Sequence, residues 1–162
     1  SQFESHGNEF TCKKCGKTTL YGEDKTLSGV NWDCPFPFVA QWYDYQEDYV
    51  NQLDLLSQVD APLYEDRAAL RKVLVYKKKE LLNEDALLKL YGDRVIVDTL
   101  VLPFEEVGAI AVLGRNKLNI YHGDQVYQIK GDKRFNALKY VHIYHRYKNI
   151  TRGEADVKFL GL

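Results

Sequence analysis

The sequence predicts an α+β fold in which a curved antiparallel sheet of about seven short strands is closed by a C-terminal helix, after a Cys-x-x-Cys turn and an aromatic amphipathic helix. Short apolar runs between Pro103 and Lys130 are separated by glycine turns, as in successive hairpins. No gap between these runs can hold a connecting helix, which favours an antiparallel meander. Residues 133–148 then show helical spacing without Gly or Pro.

Composition indicates one compact domain, with or without a small appendage, because the chain has 162 residues, 45% of them hydrophobic and 13% aromatic. No apolar run approaches the roughly 18 residues of a membrane span, and no signal peptide opens the chain, so we expect a cytoplasmic protein. The net charge of -1 hides an acidic stretch and a basic half. Residues 40–66 contain seven acids and no Lys or Arg, whereas residues 71–158 contain 17 bases and 11 acids. The basic half either forms a solvated face or binds an anionic partner.

Cys12 and Cys15 bracket two lysines in a turn typical of one metal knuckle. A tetrahedral zinc site needs four ligands, and the residue that should pair with Cys34 in a second knuckle is Pro37. His6 and Cys34 could complete an improvised site. The alternative is that the cysteines are half of a broken site or free thiols, in a reducing compartment. A redox pair is disfavoured because no helix follows Cys15 to lower a thiol pKa.

A helix is predicted from about Pro37 to Leu53, because aromatic and apolar residues recur there at spacings of three and four. Residues 54–70 look irregular, with a short helical turn at 65–70. The predicted division of the chain is a knuckle and linker at 1–36, the amphipathic helix and its connector at 37–70, the sheet domain at 71–150, and a C-terminal tail at 151–162.

The strands of the sheet domain are predicted from alternation and turn residues. The expected strands are 72–79, 86–91, 94–98, 100–103, 108–113, 117–122 and 125–130. The final helix should start after Asp132 as N-cap and bury one face. That face carries Phe135, Leu138, Val141, His142 and His145. The two histidines are either packed core residues or metal ligands, with His122 across the sheet.

Seven antiparallel strands followed by one helix is the layout of pleckstrin-homology-like domains. The segments HGNEFTCKKCG, WYDYQEDYVNQLDLL, LPFEEVGAIAVLGRNKLNIYHGDQVYQIKGDKRFNALKYVHIYHRYKN and FLGL resemble the C-terminal region of bacterial fused 1-acyl-glycerol-3-phosphate (lysophospholipid) acyltransferases, over nearly the whole chain. In that family an acyltransferase domain comes first and a zinc ribbon of two knuckles follows. HGNEFTCKKCG resembles the second knuckle, which implies that the acyltransferase domain lies upstream and that zinc belongs to the full-length parent. The opening SQFESHG, without an initiator Met, suggests the same.

The catalytic motif of such acyltransferases, HxxxxD, is absent from this sequence. The residues five beyond the four histidines are Thr11, Tyr127, Tyr147 and Ile150. No glycine-rich phosphate loop or nucleophile elbow is present either. We therefore expect no enzymatic activity from this chain and a non-catalytic accessory role, as a regulatory, targeting or scaffold module.

Basic residues of the sheet domain are candidate contacts to anionic lipid, which would place the protein at the inner face of the membrane. They are Arg71, Lys72, Lys77, Lys78, Lys79, Arg115 and Lys117. The alternative is that these cations only keep strand edges soluble. A second functional hypothesis is a nucleic-acid or protein binding module that uses the Tyr-rich sheet, although the near-neutral total charge disfavours nucleic acid.

Overall fold

A computed structural model describes residues 3–75 and 78–153, and the chain divides into two compact units, Ser1–Gln52 and Leu53–Leu162. Each unit contains an antiparallel sheet and one helix. The sequence predicted a single sheet, so the four-stranded sheet of the N-terminal unit corrects that prediction. Its strands have only three or four residues and are rich in Thr, Glu and Ser, which leaves too little apolar alternation to detect.

The N-terminal unit pairs its strands in sequence order and ends in a helix. Its elements are β1 (Phe3–His6), β2 (Glu9–Cys12), β3 (Thr18–Tyr21), β4 (Leu27–Gly29) and α1 (Val39–Asn51). The predicted helix is confirmed, but it starts later because the Pro37 carbonyl accepts a hydrogen bond from the Leu27 N–H at 2.8 Å and Phe38 is extended. Trp42 of α1 packs edge-on against Phe3, with ring centroids 4.8 Å apart.

The C-terminal unit confirms the predicted layout of seven antiparallel strands followed by one helix. The predicted strand 72–79 is wrong, because residues 72–75 and residues 78–79 belong to two different strands. The strand order across the sheet is β8-β7-β6-β5-β11-β10-β9. The elements are β5 (Tyr64–Val75), β6 (Lys78–Leu90), β7 (Arg94–Val97), β8 (Leu100–Pro103), β9 (Val107–Val112), β10 (Lys117–His122), β11 (Gln125–Lys130) and α2 (Leu138–Arg152). A 3-10 turn at Leu55–Ser57 precedes β5.

The sheet coils at the long β5–β6 hairpin. β7 pairs with β6 at Leu88–Leu90, far from the Val75–Lys78 pair, whereas β11 pairs with β5 at residues 69–73, close to that pair. The register of β5 against β6 shifts between Ala68 and Leu70, at the boundary of these two regions. Bulges of this kind bend a strand and increase its twist, so the two halves of the sheet can turn towards each other around the core.

The helical turn predicted at 65–70 is wrong, because these residues belong to β5. Glu, Arg, Ala and Leu favour a helix locally, but pairing with β6 buries Ala68 and Leu70 and decides the conformation. Residues 81–85 also belong to β6, although they were not predicted as strand. They were missed because the register shifts in the β5–β6 pair interrupt the strict alternation of polar and apolar residues that a flat strand would show.

Helix α2 starts later than predicted, and Asp132 is not its N-cap. Asp132 instead accepts a hydrogen bond from the Arg134 N–H at 2.7 Å in a separate turn, and the helix begins only at Leu138. Leu138 was expected in the buried face but is 39% exposed. The residues of α2 that are buried are Tyr140, Val141, Ile143, Tyr144 and Asn149.

Two tyrosine hydroxyls tie α2 to the sheet. The Tyr140 hydroxyl donates to Asp66 Oδ2 of β5 at 2.6 Å, and the Tyr144 hydroxyl donates to the Val107 carbonyl of β9 at 2.9 Å. Lys139 also pairs with Asp66. The helix therefore contacts strands from both halves of the coiled sheet and closes the core between them. The predicted strand residue Lys77 and the tail segment 154–162 lie outside the described residues.

Candidate functional site on the outer sheet face

The Cys-x-x-Cys turn of the N-terminal unit has the backbone of a metal knuckle. Cys12 ends β2 and is buried, Cys15 is exposed in the turn, and Gly16 has a φ of +70° that a side chain would strain. The Gly16 N–H donates to the Cys12 carbonyl at 2.8 Å. A hydrogen bond from the Cys15 backbone N–H lowers the pKa of the Cys12 thiol, whereas burial raises it. The backbone N–H and the positive charge of Lys14 lower this pKa further. The turn therefore favours a thiolate.

His6 and Cys34 do not join this turn in a metal site. Among the described residues, no group of three or more His, Cys, Asp or Glu side chains lies close enough together to hold a metal ion. His6 ends β1 and is paired with Glu9, and the Cys34 thiol donates to the Phe36 carbonyl at 3.6 Å. Cys12 and Cys15 thus supply half of the four ligands that tetrahedral zinc needs.

The four strands β6, β5, β11 and β10 present one face to the core and the opposite face outward. Residues paired across antiparallel strands point to the same face, and successive residues point to opposite faces. The Leu70–Ile129–Leu118 row is buried in the core, so the rows on either side of it point outward. We call the part of this outward side around residues 69–73 of β5 the outer sheet face; farther along β5 and β6 the same side carries the ion pairs Arg67–Asp85 and Lys89–Glu65. The outer sheet face comprises Ala69, Arg71 and Val73 of β5, Lys79 and Leu81 of β6, Lys117, Asn119 and Tyr121 of β10, and Val126, Gln128 and Lys130 of β11.

The outer sheet face carries four cations and no carboxylate. The cations are Arg71, Lys79, Lys117 and Lys130. Lys117 and Lys130 are directly opposite each other on β10 and β11. Within residues 3–75 and 78–153, the side chains of Arg71, Lys117 and Lys130 form no hydrogen bond or ion pair. Like charges in directly opposed positions destabilise a sheet, so this arrangement has a cost that an anionic partner would relieve.

Two buried amides lie between these cations. Gln128 is 3% exposed and Asn119 is 9% exposed, and the Gln128 amide donates to Asn119 Oδ1 at 2.9 Å. Lys79 Nζ in turn donates to Gln128 Oε1 at 2.8 Å. The neighbouring Leu81 and Tyr121 are exposed, so the two buried amides lie among exposed side chains of the outer sheet face.

The structure brings together only part of the predicted basic set. Arg71, Lys79 and Lys117 share the outer sheet face. Lys72 points to the opposite face, where it is paired with Tyr127. Lys78 lies at the start of β6 beside the hairpin turn, Arg115 lies in the β9–β10 turn, and Lys77 is outside the described residues.

Sequence reasoning missed Lys130, Asn119 and Gln128. The signal was present, because KLN and QIK place polar residues at alternate positions on both sides of the Gly123-Asp124 turn. Aligning the two arms of that hairpin in sequence would have placed Lys117 against Lys130 and Asn119 against Gln128.

The two histidines of α2 are half-buried, and each contacts other groups. Burial lowers the pKa of both rings, and the neighbouring charge of His145 lowers that of His142 further. His122 instead lies 2.8 Å from Glu106 Oε2. No third ligand joins them within the described parts of the chain.

Stability should therefore fall when the pH drops below about 6.5, the ordinary histidine pKa. Because the histidine pKa values of the folded chain lie below those of the unfolded chain, the unfolded chain binds more protons than the folded chain at pH values between them. Stability is therefore lost as the pH falls through that range. We expect the urea midpoint at pH 5.5 to lie below that at pH 7.5. His142→Gln/His145→Gln should shrink this difference. An equal difference in the wild type and the double variant would contradict the assignment.

No family model matches the sequence, and no curated protein matches it. Among solved structures, the chain is similar to the solution structure of the N-terminal PH domain of ARAP2 protein from human, with a TM-score of 0.45 and 12% sequence identity. The likeness covers 60% of this chain and 90% of that one. A likeness of this size carries no conclusion about function, and the architecture of the C-terminal unit rests on its own strand order. Neither α1 nor α2 is long and apolar enough to cross a membrane.

Proposed function

We propose that this chain is a non-catalytic accessory module of a phospholipid-biosynthesis acyltransferase, and that its outer sheet face contacts an anionic membrane surface. The resemblance of the sequence to the C-terminal region of fused acyltransferases supports the first part of the proposal. The absence of an HxxxxD motif from the sequence agrees with a role outside catalysis. The parent enzyme's upstream domain would be the second partner.

The observation that carries the membrane contact is the pair Lys117 and Lys130, opposed on neighbouring strands of a face without carboxylates. Each Lys or Arg close to an anionic bilayer contributes about 1 kcal/mol of binding free energy. Exposed Leu81 and Tyr121 lie among the cations and could enter the interfacial layer of the bilayer. A single aromatic ring on this face gives little stacking surface for nucleic acid, which disfavours that alternative.

We expect the wild-type chain to sediment with vesicles that contain phosphatidylglycerol and not with pure phosphatidylcholine vesicles, with affinity falling as salt rises. Lys117→Gln/Lys130→Gln should weaken this binding about 30-fold, from about 1 kcal/mol per lysine. Lys14→Gln/Lys133→Gln makes the same change of charge at two residues that are not part of the outer sheet face and serves as the matched control. Equal binding by both double variants, or no binding by the wild type, would overturn the membrane contact.

A further inference from the structure

The polar cluster of Arg71, Lys79, Asn119 and Gln128 on the outer sheet face has more donors than its own residues use. The side chain of Arg71, directly opposite Gln128 on the neighbouring strand, has five N–H donors, none of which is taken by a described residue. Lys79 uses one of its three donors on Gln128. The Asn119 amide nitrogen donates to no described residue, since only its oxygen is engaged. The cluster itself contains no carboxylate.

The residues are also held in place before any ligand arrives. Gln128 is fixed by Asn119, and Lys79 is fixed by Gln128, in one hydrogen-bonded chain across three strands. Lys79 is diagonal to Arg71 across the β5–β6 pair, a relation that places the two backbones about 7 to 8 Å apart. Two long side chains at that separation can reach the same small anion. Supporting hydrogen bonds of this kind preorganise a binding site.

We propose that Arg71, Lys79 and Asn119, positioned by Gln128, form a site for a phosphate monoester. A guanidinium fork binds two phosphate oxygens at once, and an ammonium and an amide can serve the third. A carboxylate has only two oxygens and would leave donors unused. This inference rests on the proposed function, since it names the headgroup chemistry that the outer sheet face would select at the membrane.

Vesicle binding tests the site when surface charge is kept constant. Vesicles that contain phosphatidic acid, a phosphate monoester, and vesicles that contain phosphatidylglycerol, a diester, are prepared with equal zeta potential. We expect the wild-type chain to bind the phosphatidic acid vesicles about tenfold more tightly. Gln128→Met removes the residue that orients Lys79 while keeping every charge, and should abolish this preference but retain salt-sensitive binding to both kinds of vesicle.

Arg71→Gln provides a second variant if Gln128→Met does not fold, and it should lose the preference together with about fivefold of the general affinity. Inorganic phosphate distinguishes the source of the ligand. If inorganic phosphate competes with the phosphatidic acid vesicles, the site also binds free phosphate. If the preference for phosphatidic acid vesicles persists in the presence of phosphate, the site is specific for the lipid headgroup. An equal affinity of the wild type for both vesicles, or an unchanged preference in a folded variant, overturns the site. If the wild-type chain does not bind phosphatidylglycerol vesicles at all, the proposed function is overturned instead.

Discussion

Gly92→Ala is expected to lower the free energy of unfolding of the C-terminal unit by about 2 to 4 kcal/mol. A Cβ at this position would lie 2.1 Å from the Leu55 carbonyl oxygen and 3.1 Å from that of Gln58, which are backbone atoms that cannot rotate away. The Gly92 N–H also donates to the Gln58 carbonyl at 3.2 Å. The substitution must therefore displace the 3-10 turn at Leu55–Ser57 from the β6–β7 turn. The fully buried side chain of Leu55 would move with it.

Gly108→Ala is the matched control, since the nearest atom to its added Cβ is the Tyr121 carbonyl oxygen at 3.9 Å, an ordinary contact. We expect a change within about 0.5 kcal/mol for that variant. Urea unfolding should be followed by far-ultraviolet circular dichroism, because Trp32 and Trp42, the two tryptophans of the chain, lie in the N-terminal unit. Equal stability of the two glycine variants would show that the connector does not pack against this turn.

Phe104→Ala is expected to cost about 3 to 5 kcal/mol, the range for truncation of a buried aromatic ring. Phe104 is fully buried after β8, and its ring centroid lies 5.5 Å from those of Tyr144 and Tyr147 on α2. Loss of the ring leaves a cavity between the helix and the sheet corner. Measurement of urea midpoints and of amide hydrogen exchange in α2 would check the result.

Leu138→Ala is the control for this prediction, because Leu138 lies on the same helix but is 39% exposed. Its truncation should cost about 1 kcal/mol or less, since a partly exposed side chain loses little buried area. A larger effect for Leu138 than for Phe104 would mean that the helix packs through its N-terminal turn and not through the face that carries Tyr144 and Tyr147.

The sequence was informative where alternation and turn residues agree. Strands β8 to β11 were predicted almost residue by residue, because Gly114 and Gly123 adopt the positive φ that the turns on either side of β10 require and the apolar residues of β10 alternate with polar ones. Strand β5 was not predicted over residues 65–70, since its helix-favouring composition is overridden by pairing with β6.

The candidate site was only partly predictable. Clusters of Arg and Lys are visible in the sequence, but the face of the sheet on which each residue lies depends on strand register. The register places Lys72 on the face opposite to Arg71, and it places Lys130 on the same face as Lys117. The buried amides Asn119 and Gln128 were missed because they are neither charged nor nucleophilic, although the hairpin register places them opposite each other. The four-stranded N-terminal sheet was missed because its strands are too short for a period to be counted.

Cosedimentation with phosphatidylglycerol vesicles across a salt series is the most direct test of the outer sheet face. Wild-type protein and the Lys14→Gln/Lys133→Gln control should bind with the same steep loss of affinity as salt rises, and Lys117→Gln/Lys130→Gln should bind about 30-fold more weakly at low salt with a shallower slope. Binding that is independent of salt, or unchanged by loss of Lys117 and Lys130, would contradict an anion-binding role for this face.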